Sequence, residues 1–307
     1  MGYFLSVFLD VIFPILLLMV IGILMQKKFQ FNIRALANLL TYCFMPAAVF
    51  LNLAQTELDV QLLGQVLVFL IIYTALMMIV TGLLGKSLQL DQKQSAILKN
   101  SIGLMNSGNY GLPISQMLFQ ANPIGLSVQI IVLIFQNILT YTYGLYNLIS
   151  ATKSGLEIVI AMLRLPVIHA MILGIIFNVW NIPIPTPLLT PIEYLADGFM
   201  AVALILLGAQ IALIKMSKLN RVIIWGTIGR LLVGPAVALA VIWTLQIDGI
   251  IAQSLLIASA LPTSRNSATL ALEHDVLQET AGQIVLFTTL LSAISVTFFI
   301  YLSTVLF

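Results

Sequence analysis

Charge is what this chain has least of. Only 8% of its 307 residues are Asp, Glu, Lys or Arg, against about 25% in an ordinary soluble domain. Hydrophobic residues make up 61%, more than a soluble fold of this size can bury while keeping a hydrated exterior. Cysteine is nearly absent: Cys43 stands alone, which excludes an internal disulfide and a cysteine metal site. The consecutive Glu273, His274 and Asp275 point in different directions on a helix, so no metal and no cofactor are expected. A net charge of +2 argues against a nucleic-acid partner. Gly85-Lys86-Ser87 lacks the glycine five residues earlier that a phosphate-binding loop needs, which excludes a nucleotide-driven pump built from this chain alone. No basic segment precedes the first apolar run, so the N-terminus reads as a first helix and not as a cleaved signal peptide.

What remains is a succession of apolar runs. A membrane-spanning helix needs roughly 20 apolar residues, and continuous windows of that kind fall near 3–25, 35–54, 61–84, 95–119, 124–149, 158–179, 190–213, 221–243, 250–272 and 282–305. Transmembrane β-strands would alternate apolar and polar residues, which these windows do not. The expected fold is an all-α polytopic membrane protein of ten transmembrane helices, with the lipid bilayer as its surroundings.

Lys and Arg concentrate in alternate connectors. Lys27, Lys28 and Arg34 lie in the first, Lys86, Lys93 and Lys99 in the third, Lys153 and Arg164 around the fifth, and Lys215, Lys218 and Arg221 in the seventh. The other connectors carry Glu57, Asp59, Glu193, Asp197 and Asp248 instead. By the positive-inside rule the basic side is cytoplasmic, which puts both termini on the extracytoplasmic side of the inner (plasma) membrane. Arg230 and Arg265 fall within spans.

The two halves of the chain echo one another. Pro14 and Gly22 match Pro166 and Gly174; Phe44-Met45-Pro46-Ala47-Ala48 matches Phe199-Met200-Ala201-Val202-Ala203. Leu104, Ser107 and Asn109 match Leu261, Ser264 and Asn266, and Ile131-Val132-Leu133 matches Ile284-Val285-Leu286. The order is kept and the offsets stay within a few residues. Repeats over 1–152 and 153–307 would each hold five spans, and an odd number makes the second copy enter the membrane inverted.

Both halves interrupt the same helix. The fourth span contains Asn106-Ser107-Gly108-Asn109-Tyr110-Gly111-Leu112-Pro113, and the ninth Pro262-Thr263-Ser264-Arg265-Asn266. Proline removes an amide donor and clashes with the preceding turn, and glycine tolerates non-helical backbone. Unwound backbone at membrane depth is tolerated only inside protein or beside a water-filled cavity. Half-helix N-termini there carry free N–H groups and partial positive charge, which suits a carboxylate. Asn106, Ser107, Asn109, Thr263, Ser264 and Asn266 add polar groups, and Arg265 a full charge or a cap on half-helix carbonyls. The expected ligand is a small organic anion.

On Asn106–Pro113, Ala260-Leu261-Pro262-Thr263 and Thr288-Thr289-Leu290-Leu291-Ser292, the chain resembles the auxin efflux carrier family, which includes the plant PIN exporters. That resemblance implies two inverted five-helix repeats as in the bile-acid sodium symporters, with a scaffold of spans 1, 2, 6 and 7. Spans 3–5 and 8–10 would form a transport domain whose fourth and ninth helices cross beside the substrate, and efflux would follow elevator-like movement. The resemblance places Asn106 at a substrate-contacting asparagine. The chain departs from the plant exporters in having only Ser150–Glu157 between spans 5 and 6. Met105 also stands where a proline is common, so the first crossing is expected to depend on Gly108, Gly111 and Pro113.

His169, whose ordinary pKa lies near working pH, and Asp197 are the candidate coupling residues, with H+ and Na+ both open as the coupling ion. Two competing readings share this polar midplane: an anion channel or uniporter, and an intramembrane serine protease built on Ser107 and His169. A homodimer is suggested by analogy alone.

Overall fold

A computed structural model of the chain describes residues 8–55, 60–149, 166–213 and 219–307. Among these residues every regular element is helical. The segments are α1 (8–29), α2 (Ile33–Gln55), α3 (Val60–Ser87), α4 (Gln92–Gly103), α5 (107–118) and α6 (Pro123–Leu148). They continue as α7 (Pro166–Val179), α8 (Thr186–Ile211), α9 (Arg221–Thr244), α10 (Gly249–Ala260), α11 (Arg265–Glu273) and α12 (Gln278–Leu306). Six of them are long and apolar enough to cross a membrane: α2, α3, α6, α8, α9 and α12. The chain is therefore an all-helical, polytopic membrane protein. Glu57, Asp59, Ser150–Glu157, Lys153, Arg164, Lys215 and Lys218, which entered the reading of connectors and sidedness, lie outside the described residues.

Local chemistry explains where the helices begin and end. Asn32, Asp91, Asn122 and Asn220 each accept a first-turn backbone N–H with the side chain, the usual way to satisfy donors that have no intrahelical acceptor. Asp91 and Gln94 form a reciprocal capping box. Gln30, Gln89, Asn181 and Gln246 follow helix ends with positive φ, turning the chain back at each boundary.

The outward faces are apolar. Leu24, Ile71, Leu83 and Ile294 are exposed, a pattern suited to lipid. Trp180 and Trp243, at helix ends, are among the most exposed aromatic residues, where amphipathic rings favour the membrane interface.

Two helix pairs pack most extensively: α1 on α8 and α7 on α2. Each pairs a helix of one half with a helix of the other. Small residues permit the approach: a Cβ at Gly22 would collide with the Ile205 carbonyl, and one at Gly208 with the Met19 carbonyl. At Gly174 a Cβ would sit 2.9 Å from Leu53 Cβ and 3.0 Å from the Phe50 carbonyl. Gly22 and Gly174, matched in sequence, thus occupy matching contacts. Phe69, Ile102, Leu255 and Val296, from α3, α4, α10 and α12, belong to one buried core that also takes in Ile15 and Met19 of α1 and Leu204 and Leu207 of α8.

Candidate functional site

Helix α4 ends at Gly103 and the chain resumes as α5 at Ser107; α10 ends at Ala260 and α11 starts at Arg265. The two short gaps lie antiparallel, with Met105 opposite Thr263. Asn106 N–H donates to the Pro262 carbonyl and Ser264 N–H to the Leu104 carbonyl, both at 2.8 Å. This pair of bonds satisfies backbone that proline and glycine have freed from the helices. Met105, at the expected proline position, takes part through its backbone: its N–H donates to Gln136 Oε1 at 3.1 Å.

Side chains complete the bonding. Thr263 Oγ1 donates to the Ser101 carbonyl at 2.7 Å, and Thr263 N–H reaches Thr288 Oγ1 at 3.2 Å. Gln129 Nε2 donates to the Ser107 carbonyl at 2.9 Å. Ser292 and Tyr110 hydroxyls are 3.0 Å apart, so two of the three polar residues of the Thr288–Ser292 segment, Thr288 and Ser292, brace the crossing. Gly111 is in a different role: a Cβ there would strike Gln129 and Leu261, so its hydrogen lets α5 close against α6. Pro113 is buried in the first turn of the α-helical part of α5, Leu112–Leu118, just after the Ser107–Gly111 turn.

On one side of the crossing lies a cavity with about 150 Å³ of room for solvent, roughly ten times what one water requires. Asn106, Ser107, Gly108 and Asn109 line it from α5 and its approach; Ser264, Arg265, Asn266 and Thr269 line it from α11 and its approach. Gln136, Asn137 and Thr140 come from α6, and Thr41 and Met45 from α2. Among the described lining residues none is acidic, whereas one guanidinium and two helix N-termini are present, so the local field favours an anion. Asn106 and Gln136 are 4% and 2% exposed, yet Asn106 Nδ2, Gln136 Nε2 and Asn137 Nδ2 have no partner. The Gln136 amide is oriented by its bond to Met105. An unsatisfied buried donor costs about 1–3 kcal/mol, and three of them belong to residues of one cavity.

Of the residues anticipated from sequence, Asn106, Ser107, Gly108, Asn109, Ser264, Arg265 and Asn266 meet at this cavity. Pro262 and Thr263 form the bridge behind it, and Gly111 and Pro113 the packing around it. His169 and Asp197 are exposed and outside the lining. Gln136, Asn137 and Thr140 were missed; the available signal was a Gln-Asn pair in the middle of an apolar span, where polar groups are costly. π-Helical turns at Leu40–Phe44, Ser107–Gly111, Thr140–Gly144 and Gly229–Val233 put Thr41, Ser107, Thr140 and Arg230 at or beside the crossing, a placement common for such turns.

Comparison with known proteins agrees with this architecture. A protein of Methanothermobacter thermautotrophicus described as an uncharacterized transporter is 24% identical over 282 residues, covering 91% of this chain and 90% of that protein. The family model described as membrane transport protein matches residues 7–300. Nearly the whole chain, broken helices included, is thus covered, and the protein belongs to this membrane transport family, that of the auxin efflux carriers.

Proposed function

We propose that the protein is a secondary active transporter that exports a small organic anion, most simply a carboxylate, from a midplane site at the helix crossing. The observation that carries this reading is the gathering of two half-helix N-termini, Arg265 and the unpartnered amides of Asn106 and Gln136 at one cavity whose described lining holds no acidic group. Such a site offers donors and positive potential together.

The same reading takes the chain as ten membrane-spanning helices in two inverted repeats, with α4–α5 and α10–α11 each counted as one broken span. The exchanged pairs α1–α8 and α7–α2, with Gly22 and Gly174 in matching contacts, support it. These four helices form the scaffold, and the remainder carries the site across the membrane as an elevator. The protein sits in the plasma membrane with both termini outside, consistent with Lys27, Lys86, Lys93 and Arg221 on the opposite side.

Proteoliposomes with a panel of labelled mono- and dicarboxylates test this. Saturable flux of at least one anion is expected, lost in Asn106→Ala and Arg265→Ala at unchanged expression. Wild-type flux in both variants would remove the site, and steady single-channel current would assign a pore instead. Thermal stabilisation by the same panel, with and without sodium at two pH values, identifies substrate and coupling ion together.

A further inference from the structure

Among the described residues Arg230 is the largest fully buried side chain, and its charge has an unusual counterpart. Nη1 donates to the Ile102 carbonyl at 2.6 Å; Nη2 donates to the Ser259 carbonyl and, at 3.1 Å, to the Tyr73 hydroxyl. Ile102 and Ser259 lie in the last turns of α4 and α10, the half-helices that run into the crossing. Carbonyls in a last helical turn lack intrahelical donors, and each helix C-terminus carries about half a negative charge. One guanidinium therefore meets two such ends, which together approximate its own charge.

The surrounding sequence is shaped for this contact. A Cβ at Gly234 would lie 2.9 Å from Arg230 Nη2, 3.1 Å from the Tyr73 hydroxyl and 3.3 Å from the Ser259 carbonyl. A Cβ at Gly229 would strike Ile102. The two glycines and the π-helical turn between them let α9 approach both half-helices at once.

We propose that Arg230 is the positioning residue of the transport site: it clamps the C-terminal ends of α4 and α10, so that the Leu104–Ser264 and Asn106–Pro262 bonds stay in register and the opposing N-termini face one cavity. The clamp also fastens α3, through Tyr73, and α9 to the crossing, so four helices move as one body. The protein's own cation occupies the negative side of the crossing, which leaves the positive side for the charge of the ligand. This assignment rests on the transporter reading above, since the site it positions is the one proposed there.

The test is hydrogen–deuterium exchange of purified wild type, Arg230→Gln and Gly234→Ala, read on peptides spanning 104–107 and 262–265, alongside proteoliposome flux. Gly234→Ala keeps the arginine and displaces it, which covers failure of Arg230→Gln to fold. About ten- to hundredfold faster exchange at these two peptides is expected, the scale of a lost charged hydrogen bond, with α1 and α8 unchanged and kcat reduced. Arg221→Gln, exposed at the start of the same helix, is expected to match wild type in both readings. Wild-type exchange and kcat in a folded Arg230→Gln or Gly234→Ala protein would overturn the clamp and leave the transporter reading intact. Absence of anion flux in wild type would overturn the transporter reading instead, while loosened bridge peptides in the variants would still support the clamp.

Discussion

Asn106 joins the crossing through its backbone and lines the cavity with its side chain. Its N–H is bonded to Pro262, while its side-chain Nδ2 has no partner. Asn106→Asp keeps the shape and replaces a donor with negative charge, so anion KM in proteoliposomes is expected to rise at least about tenfold, the scale of one charged hydrogen bond. Gln136 acts differently, because its Oε1 accepts from Met105 N–H. Gln136→Leu orphans that buried amide, and a loss of about 1–3 kcal/mol is expected as a lower unfolding temperature in detergent. The first change is read in transport alone, and the second in stability as well as transport, because Gln136 holds the Met105 backbone and also turns an unpartnered Nε2 to the cavity.

At the scale of helices, glycine marks where backbones touch. Gly22 and Gly208 sit against carbonyls of the partner helix, and a backbone cannot move aside as a side-chain tip can. Gly22→Ala or Gly208→Ala is therefore expected to separate α1 from α8 and to lower thermal stability sharply. Gly64 and Gly82, on α3, have open space at the same position; alanine there is expected to be neutral or to stabilise by about 0.5–1 kcal/mol, the helix preference of alanine over glycine. Unfolding temperatures of the four single variants check the contrast. Gly22, with Gly174, was visible in the sequence as part of one of the four matches between the halves, but which helix each one met depended on pairing between the two halves.

For the whole molecule, the elevator reading requires α2 and the crossing to move relative to each other. A Cβ at Gly108 would lie 3.4 Å from the end of Met45, so in that reading a residue of the scaffold lies beside one of the moving part. In a Cys43→Ser background, cysteines at Met45 and Gly108 joined by a short thiol-specific cross-linker are expected to stop flux, with recovery on reduction of a cleavable linker. A cross-link between α1 and α8, both scaffold helices, is expected to leave flux unchanged. Equal inhibition by both cross-links would count against relative movement of the two bodies.

The apolar runs, their lengths and the two polar interruptions were determined by the sequence itself, because lipid permits only continuous helices except where the chain supplies its own partners. Charge asymmetry and the matched Pro and Gly positions belong to the same level, as does the placement of Asn106, Ser264 and Arg265 at the breaks. Tertiary structure alone decided that Met105 and Thr263 face each other, that Gln136 orients toward Met105, and that Arg230 spans two helix ends far apart in sequence. The reason is physical: an unpaired carbonyl or amide announces a need in the local sequence, but the group that meets it can come from any helix that packing brings within about 3 Å.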